Sequence, residues 1–303
     1  MLFTRIGKGT YVSRQKKKII SEHNSIGLVL NDLKSPYFSM IAHGVEQNAS
    51  EHGYNLLLAN TTGEEAKEDA QIRHYMKSGV DGLIIASMNH LYKATPMIRS
   101  LHANKFPYVI VSFIEDDDIY QVGTNHKLGA FMATEHLVKL GHKKIGYINA
   151  EKGNLLGRIR KSGYLEALKK YNIPMNEEFI FHFPYFGEKN DYNSGYMIAQ
   201  RFVKMKNRPQ AVFAYNDLSA LGFEKALTEK GLKIPEDVAI VGFDDIERSC
   251  YCQVPLTTIK QPTEQIGRVA VEKVLSLINK EETRMKTILK PELVIRESCG
   301  GKQ

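Results

Sequence analysis

The chain has 303 residues, 43% of them hydrophobic and 25% charged, with a formal net charge of +7. These values fit an ordinary globular chain of one or two domains. No apolar run approaches the roughly 18 residues of a membrane span, and three cysteines, an odd number, exclude a disulfide framework.

Six basic residues (Arg5, Lys8, Arg14, Lys16, Lys17 and Lys18) precede the first acid. That stretch suits a polyanion such as DNA, and equally a solvated tail. No apolar segment follows Lys18, which argues against a signal peptide and leaves the cytoplasm as the expected compartment. Arg14 to Asn24 is polar enough to act as a linker.

From Ile26 the chain alternates short apolar runs with helical patterns. Ile26 to Leu30 reads as a strand. Phe38, Ile41, Ala42, Val45 and Ala49 recur at helical spacing and stop before Gly53. Leu56 to Ala59 is a strand, Glu64 to Ser78 a helix, and Leu83 to Ile85 and Tyr108 to Val111 two further strands. After Gly141 the rhythm restarts. Strands are expected at Lys144 to Ile148, Phe179 to Phe183, Ala211 to Ala214 and Ala239 to Phe243. Helices are expected at Gly157 to Tyr171, Ser194 to Met205 and Asp217 to Lys230. Such alternation gives parallel sheets covered on both faces, and two series give two lobes with a cleft between them. The tail breaks the rhythm with Leu256 to Lys260, a helix carrying Ile266, Val269, Ala270, Val274 and Ile278, and a strand at Leu289 to Ile295. It is expected to cross between the lobes and make a hinge.

Enzyme signatures are missing: there is no phosphate-binding loop, no G-x-S-x-G and no H-E-x-x-H. Gly7 and Gly9 begin a G-x-G pattern, but Val12 stands where its third glycine should be. The histidines show no metal-ligand spacing, and Asp244-Asp245 alone is too few oxygens for a hard cation. No metal and no cofactor are therefore expected. What remains is a polar triplet at strand exits. Arg160 lies three residues before Gly163, Asn216 follows Ala211 to Ala214, and Asp244 follows Ala239 to Phe243. Ligands of doubly wound sheets bind beyond the carboxyl ends of the strands. A guanidinium donates, a carboxylate accepts and an amide does both, which suits a hydroxyl-rich ligand. Tyr37 and Phe38, beside Ser35-Pro36, sit at the same mouth. One of them is placed to stack on a ligand, or both cap the helix against the sheet.

Taken together, these segments resemble the sensor domain of the lactose/galactose repressor family. The matching segments are Ile26-Gly27-Leu28-Val29, Ser35-Pro36-Tyr37-Phe38, Val80-Asp81-Gly82-Leu83-Ile84, Ala133-Thr134-Glu135-His136-Leu137 and Leu140-Gly141-His142. They continue with Arg160-Lys161-Ser162-Gly163-Tyr164, Tyr215-Asn216-Asp217, Ile234-Pro235-Glu236-Asp237-Val238, Val241-Gly242-Phe243-Asp244-Asp245 and Pro255-Leu256-Thr257-Thr258-Ile259. The resemblance covers about residues 24 to 298. It implies an α/β fold of two Rossmann-like lobes with three crossover segments, like periplasmic binding proteins of type I. It places residues 24–141 with 262–283 in one lobe and 142–261 with 284–303 in the other. It implies that Arg160, Asn216 and Asp244 contact ligand hydroxyls, with Tyr37 and Phe38 lining the first lobe. Phe186 and Tyr192 are candidates for an aromatic wall of the second lobe. The family's usual Asp-Asn pair reads Asn125-His126 here, which removes an acid from the ligand set and leaves the sugar open.

Leu2 to Val12 resembles a different family, the wing of the gluconate-repressor (GntR) type of winged helix. Arg5, Gly7, Lys8 and Gly9 would then form a tight DNA-contacting hairpin. Residues 1–20 are expected to be a wing and basic linker whose recognition helices are absent from this chain, so that specific DNA binding is weak. A GntR wing on such a sensor resembles the arabinose-repressor group. The expectation is a cytoplasmic, homodimeric, ligand-responsive transcription regulator, without enzymatic activity and without a membrane. Its effector would be a monosaccharide, arabinose-like. Two alternatives stay open: a transport-type sugar-binding protein, and a regulator sensing a sugar phosphate or purine.

Overall fold

The computed structural model describes residues 2–5, 9–12, 24–87, 92–183 and 190–301. Strands β1 (Leu2–Arg5) and β2 (Gly9–Val12) pair antiparallel, Leu2 with Val12 and Arg5 with Gly9. Gly7, Lys8 and nearly all of the expected linker lie outside the described residues.

The first lobe opens with β3 (Ser25–Leu30), α1 (Pro36–Glu51), β4 (Asn55–Asn60), α2 (Glu65–Ser78) and β5 (Gly82–Ile85). It continues with α3 (Pro96–Ala103), β6 (Tyr108–Ile110) and β7 (Gln121–Thr124). The second lobe begins with α4 (His126–Lys139), β8 (Ile145–Asn149), α5 (Leu155–Lys170), β9 (Ile180–His182) and α6 (Asp191–Phe202). It runs on through β10 (Ala211–Ala214), α7 (Asp217–Glu229), β11 (Ala239–Asp244) and β12 (Thr257–Lys260). The chain returns to the first lobe for α8 (Thr263–Ile278) and β13 (Lys286–Leu289), then crosses again to β14 (Glu292–Val294).

Among the described residues each lobe holds one six-stranded sheet. The orders are β4-β3-β5-β6-β7-β13 and β9-β8-β10-β11-β12-β14, so the two lobes repeat one topology. All pairings are parallel except β12 with β14. The central strands are buried on both faces, which is why they read as unbroken apolar runs. Helices α1 and α8 pack Ile41, Val45, Ile266, Ala270 and Val274 on one face of the first sheet. Helix α4 packs Ala130, Ala133 and Leu137 with Tyr164 and Phe243 on the second.

Two expected lobe limits move. Helix α4 belongs to the second lobe, so the first crossing falls at Asn125, not after Gly141. Strand β13 belongs to the first sheet, so the third crossing lies between Leu289 and Glu292, not near 284. The single strand expected over Leu289 to Ile295 is two strands in different sheets. Pro291, which has no N–H for a ladder, stands between them. Elements β7 and α3 were not expected: Gln121-Val122-Gly123-Thr124 has no apolar run, although both ends of it are buried.

Candidate ligand-binding cleft

Arg160 is the centre of the cleft. It projects from α5, a helix begun by Asn154, whose side chain accepts from Gly157 N–H at 2.9 Å. The side chain is only 4% exposed. Its Nη1 donates to the Tyr215 carbonyl, and its Nη2 lies 3.4 Å from His126 Nδ1 and 3.9 Å from Asp244 Oδ1. The guanidinium stacks 3.8 Å from the Phe243 ring centroid and 4.6 Å from that of Tyr215. Its Nε has no hydrogen-bond partner. A buried donor left unmade costs about 1–3 kcal/mol.

Asp244 ends β11 at φ +130°, and Asp245 follows at φ +59°. Such conformations cost on the order of 1–3 kcal/mol and persist where surroundings enforce them. Here Asp245 is tied to Arg296 at 2.6 Å, and Asp244 accepts from Gln261 Nε2 at 2.7 Å. Burial pushes the Asp244 carboxyl up to about 7, against the pull of Arg160. Gln261 lies on the second crossing, and its Oε1 is buried without a partner.

Asn216 is close by but occupied. Its Oδ1 accepts from Ser219 N–H at 3.0 Å as the cap of α7, and its Nδ2 donates to Asp191 Oδ2 at 2.5 Å. Of the expected triplet, Arg160 and Asp244 lie within 3.9 Å of each other, while Asn216 caps α7 and bonds Asp191. Asp191 was missed because α6 begins at Asp191, under the cap Asn190, and not at Ser194. Burial raises its carboxyl, while Asn216 and Arg160 hold it down and Glu151 adds to the rise.

From the first lobe, Tyr37 meets this cluster. Burial first, then Asp244, raise its phenol, and Arg160 lowers it, so the hydroxyl shares the field of both residues. Phe38 does not line the cleft. It is buried in the first-lobe core, edge-on to Tyr37 at 5.2 Å, because neighbours on a helix point about 100° apart. Tyr92, also missed, spans the lobes: burial takes its phenol up to about 12, Glu151 adds to that, and the backbone N–H of Leu155 opposes it.

Asn125 caps α4, accepting from Leu128 N–H at 3.0 Å, and so serves a structural role. Its neighbour His126 is the group that reaches Arg160. Tyr192 is half-buried and packs on the second-lobe core with Tyr196 and Leu218 rather than standing alone as a wall. Phe186 lies outside the described residues. Among those residues, no group of three or more His, Cys, Asp or Glu is placed to hold a metal, and no helix is long and apolar enough to cross a membrane. Cys250 is exposed, Cys252 half-buried and Cys299 buried, all as free thiols.

Residues 134–299 match the family model of the periplasmic binding protein-like domain. The HTH-type transcriptional repressor PurR of Mannheimia succiniciproducens is 33% identical over 281 residues, covering 92% of this chain and 82% of that protein. The ribose operon repressor of Haemophilus influenzae is 32% identical over 286 residues, with the same two shares. A solved structure of a LacI family transcriptional regulator from Enterococcus faecium, with bound ribose, superposes with a TM-score of 0.76 at 26% identity. That match covers 91% of this chain and 98% of the other. These relatives are transcription regulators, not enzymes. The duplicated α/β lobes, the cleft between them and these matches together make this chain a member of the LacI family of transcription regulators, carrying its periplasmic binding protein-like domain.

Proposed function

We propose that the chain is a ligand-responsive repressor whose cleft binds a monosaccharide, a pentose first of all. One observation carries this reading: the buried, unpartnered Nε–H of Arg160 lies in a cluster with Asp244, Asp191 and Tyr37. Donor and acceptors thus line one dry place, as an uncharged polyol requires. Gln261 Oε1 and Thr124 Oγ1, both at lobe crossings and both unpartnered, add two acceptors. A sugar phosphate fits worse. Asp191, Asp244 and Glu151 surround a single Arg160, and like charges repel in a low-dielectric site. The resemblance of Leu2 to Val12 to a GntR wing, and through it to the arabinose-repressor group, favours an arabinose-like pentose, and ribose stands in the names of a curated relative and of solved structures.

Binding closes one lobe on the other about the three crossings and changes how a homodimer presents its DNA-binding regions. A coupling of about 1–3 kcal/mol between sugar and DNA would change operator affinity some 5- to 150-fold. In the GntR-wing reading, the segment from Leu2 to Val12 meets DNA phosphates through Arg5 and Lys8. A salt-independent affinity for duplex DNA would remove that contact. The family's role in transcription also makes the cytoplasm the expected compartment and disfavours a transport protein.

The deciding experiment is a thermal-shift screen with D-ribose, L-arabinose, hexoses, their phosphates, and purines. At 100 times its dissociation constant a ligand stabilises by about 2.7 kcal/mol. Arg160→Ala is expected to abolish the shift of the true effector. A purine or phosphate that shifts the protein while every sugar fails would overturn the sugar reading.

A further inference from the structure

We propose that His126 is a positioning residue for the ligand-binding arginine: its neutral imidazole accepts an Arg160 N–H at Nδ1 and fixes the guanidinium plane that the effector meets. This deepens the cleft reading above and rests on it. His126 is the first residue of α4, and Asn125 holds that helix start. Its ring stacks on Phe243 at 5.9 Å with planes 30° apart and meets Phe113 edge-on at 6.3 Å. The same Phe243 ring carries the Arg160 guanidinium at 3.8 Å. Imidazole and guanidinium therefore share one aromatic platform, 3.4 Å apart at Nδ1 and Nη2.

Chemistry then assigns the proton. Guanidinium is a donor only, so the ring nitrogen facing it must accept, and the neutral ring carries its hydrogen on Nε2. Burial first, and Arg160 second, hold the imidazole well below the ordinary histidine range, in keeping with that state. A carboxylate at this position would ion-pair with Arg160 and use up its charge. The imidazole orients the cation and leaves it for a ligand oxygen. The charged and titratable groups around the pair are Asp244 on β11, 3.9 Å from the same Nη2, Tyr37 on α1, Asp191 on α6, Tyr147 on β8, Tyr215 just after β10, and Tyr92 from the first lobe. Protonating His126 would turn an acceptor into a donor facing a donor and set two cations side by side. Effector affinity should then fall in acid.

Three measurements test this. Nitrogen-15 NMR of the wild-type imidazoles, with His126→Asn assigning the resonance, should show a neutral Nε2–H tautomer at about pH 6. A Nδ1–H tautomer, or half-protonation at or above the ordinary histidine value of roughly 6.5, would falsify the proposal. Urea midpoints of His126→Leu, Arg160→Met and the double variant should be non-additive, whereas additive midpoints would count against any contact between the two. In thermal shifts with D-ribose and L-arabinose, His126→Leu should weaken binding by about tenfold or more, and His126→Asn, which can accept through Oδ1, should restore most of it. Equal affinity in His126→Leu and wild type would overturn the positioning role. Should neither sugar bind wild type, the pentose reading falls, and the tautomer and the midpoints still decide the role of His126.

Discussion

Glu68 is a carboxyl kept from water with a single hydroxyl for company. It is 4% exposed, and Ser87 Oγ donates to its Oε1 at 2.9 Å. Ser112 Oγ binds the Ser87 carbonyl and Gln121 Nε2 binds the Ser112 carbonyl, so the partner cannot turn away freely. Burial pushes Glu68 up to about 7, against the Ser87 bond, and Asp69 and Glu65 add to the rise. The folded state thus holds a proton that the unfolded chain releases near 4.5. Its stabilising share is complete below that value and is lost as pH rises through 7. Glu68→Gln should remove this slope. Urea unfolding should find variant and wild type alike at about pH 5 and the variant more stable at about pH 8, by on the order of 1–3 kcal/mol. Parallel curves across that range would refute it. At this scale the sequence was partly readable. Arg160 and Asp244 stand beside glycine and strand signals, and their side chains do come within 3.9 Å of each other. Asn216 sits at the strand exit where it was expected, and its capping duty needs the geometry of α7. Between adjacent Tyr37 and Phe38 the pattern could not choose, because the register of α1 on the sheet decides which ring turns inward. Asp191 was hidden by the irregular segment before it, and His126 was visible only as a departure from an expected acid and amide.

The contact of α4 with α5 depends on a missing side chain. A Cβ on Gly163 would run into the Lys127 carbonyl and stand 2.9 Å from Phe131 N and 3.0 Å from Ala130 Cβ. Gly129 likewise admits the Phe243 ring, which a Cβ there would meet at 2.7 Å. These two close approaches bring the start of α4 to Arg160. Gly163→Ala must push α4 and α5 apart against the backbone of α4, and should cost about 1–3 kcal/mol. It should also reduce the sugar-induced thermal shift, since His126 and Arg160 ride on opposite sides of the gap. Unchanged stability and unchanged shift together would show that α4 and α5 have room to spare. Elements were readable where burial is uniform. Strands β3, β10 and β11 announce themselves as apolar runs, and α1, α5 and α8 by their period. Strand β7 did not, because its buried ends are Gln121 and Thr124, the first satisfied by the Ser112 carbonyl. Helix α3 is only eight residues long, and its signal is the Thr95 cap before Pro96, not a period. The last strand was misread across Pro291.

The whole molecule was legible as two repeated series, and the repeated strand order bears that out. The lobe limits were not, since a chain that crosses three times leaves no shift in composition where it crosses. One edge of the first sheet is strand β4, where Leu57 and Leu58 are 40% and 43% exposed. An open apolar edge is a template for another chain, and paired regulators usually close by twofold symmetry. We expect sedimentation to find a homodimer and Leu58→Glu to shift it toward monomer while the unfolding temperature holds. A wild-type monomer at micromolar concentration would refute this placement. Gln261 couples the two scales mechanically. It is a residue of the strap between the lobes and also the donor to Asp244, the acid on the cleft floor. Any swing of the halves must tug on that bond. If the proposed cleft takes a sugar, the Asp244 carboxyl would feel the angle of the jaws, and occupancy and posture would become two readings of one gauge.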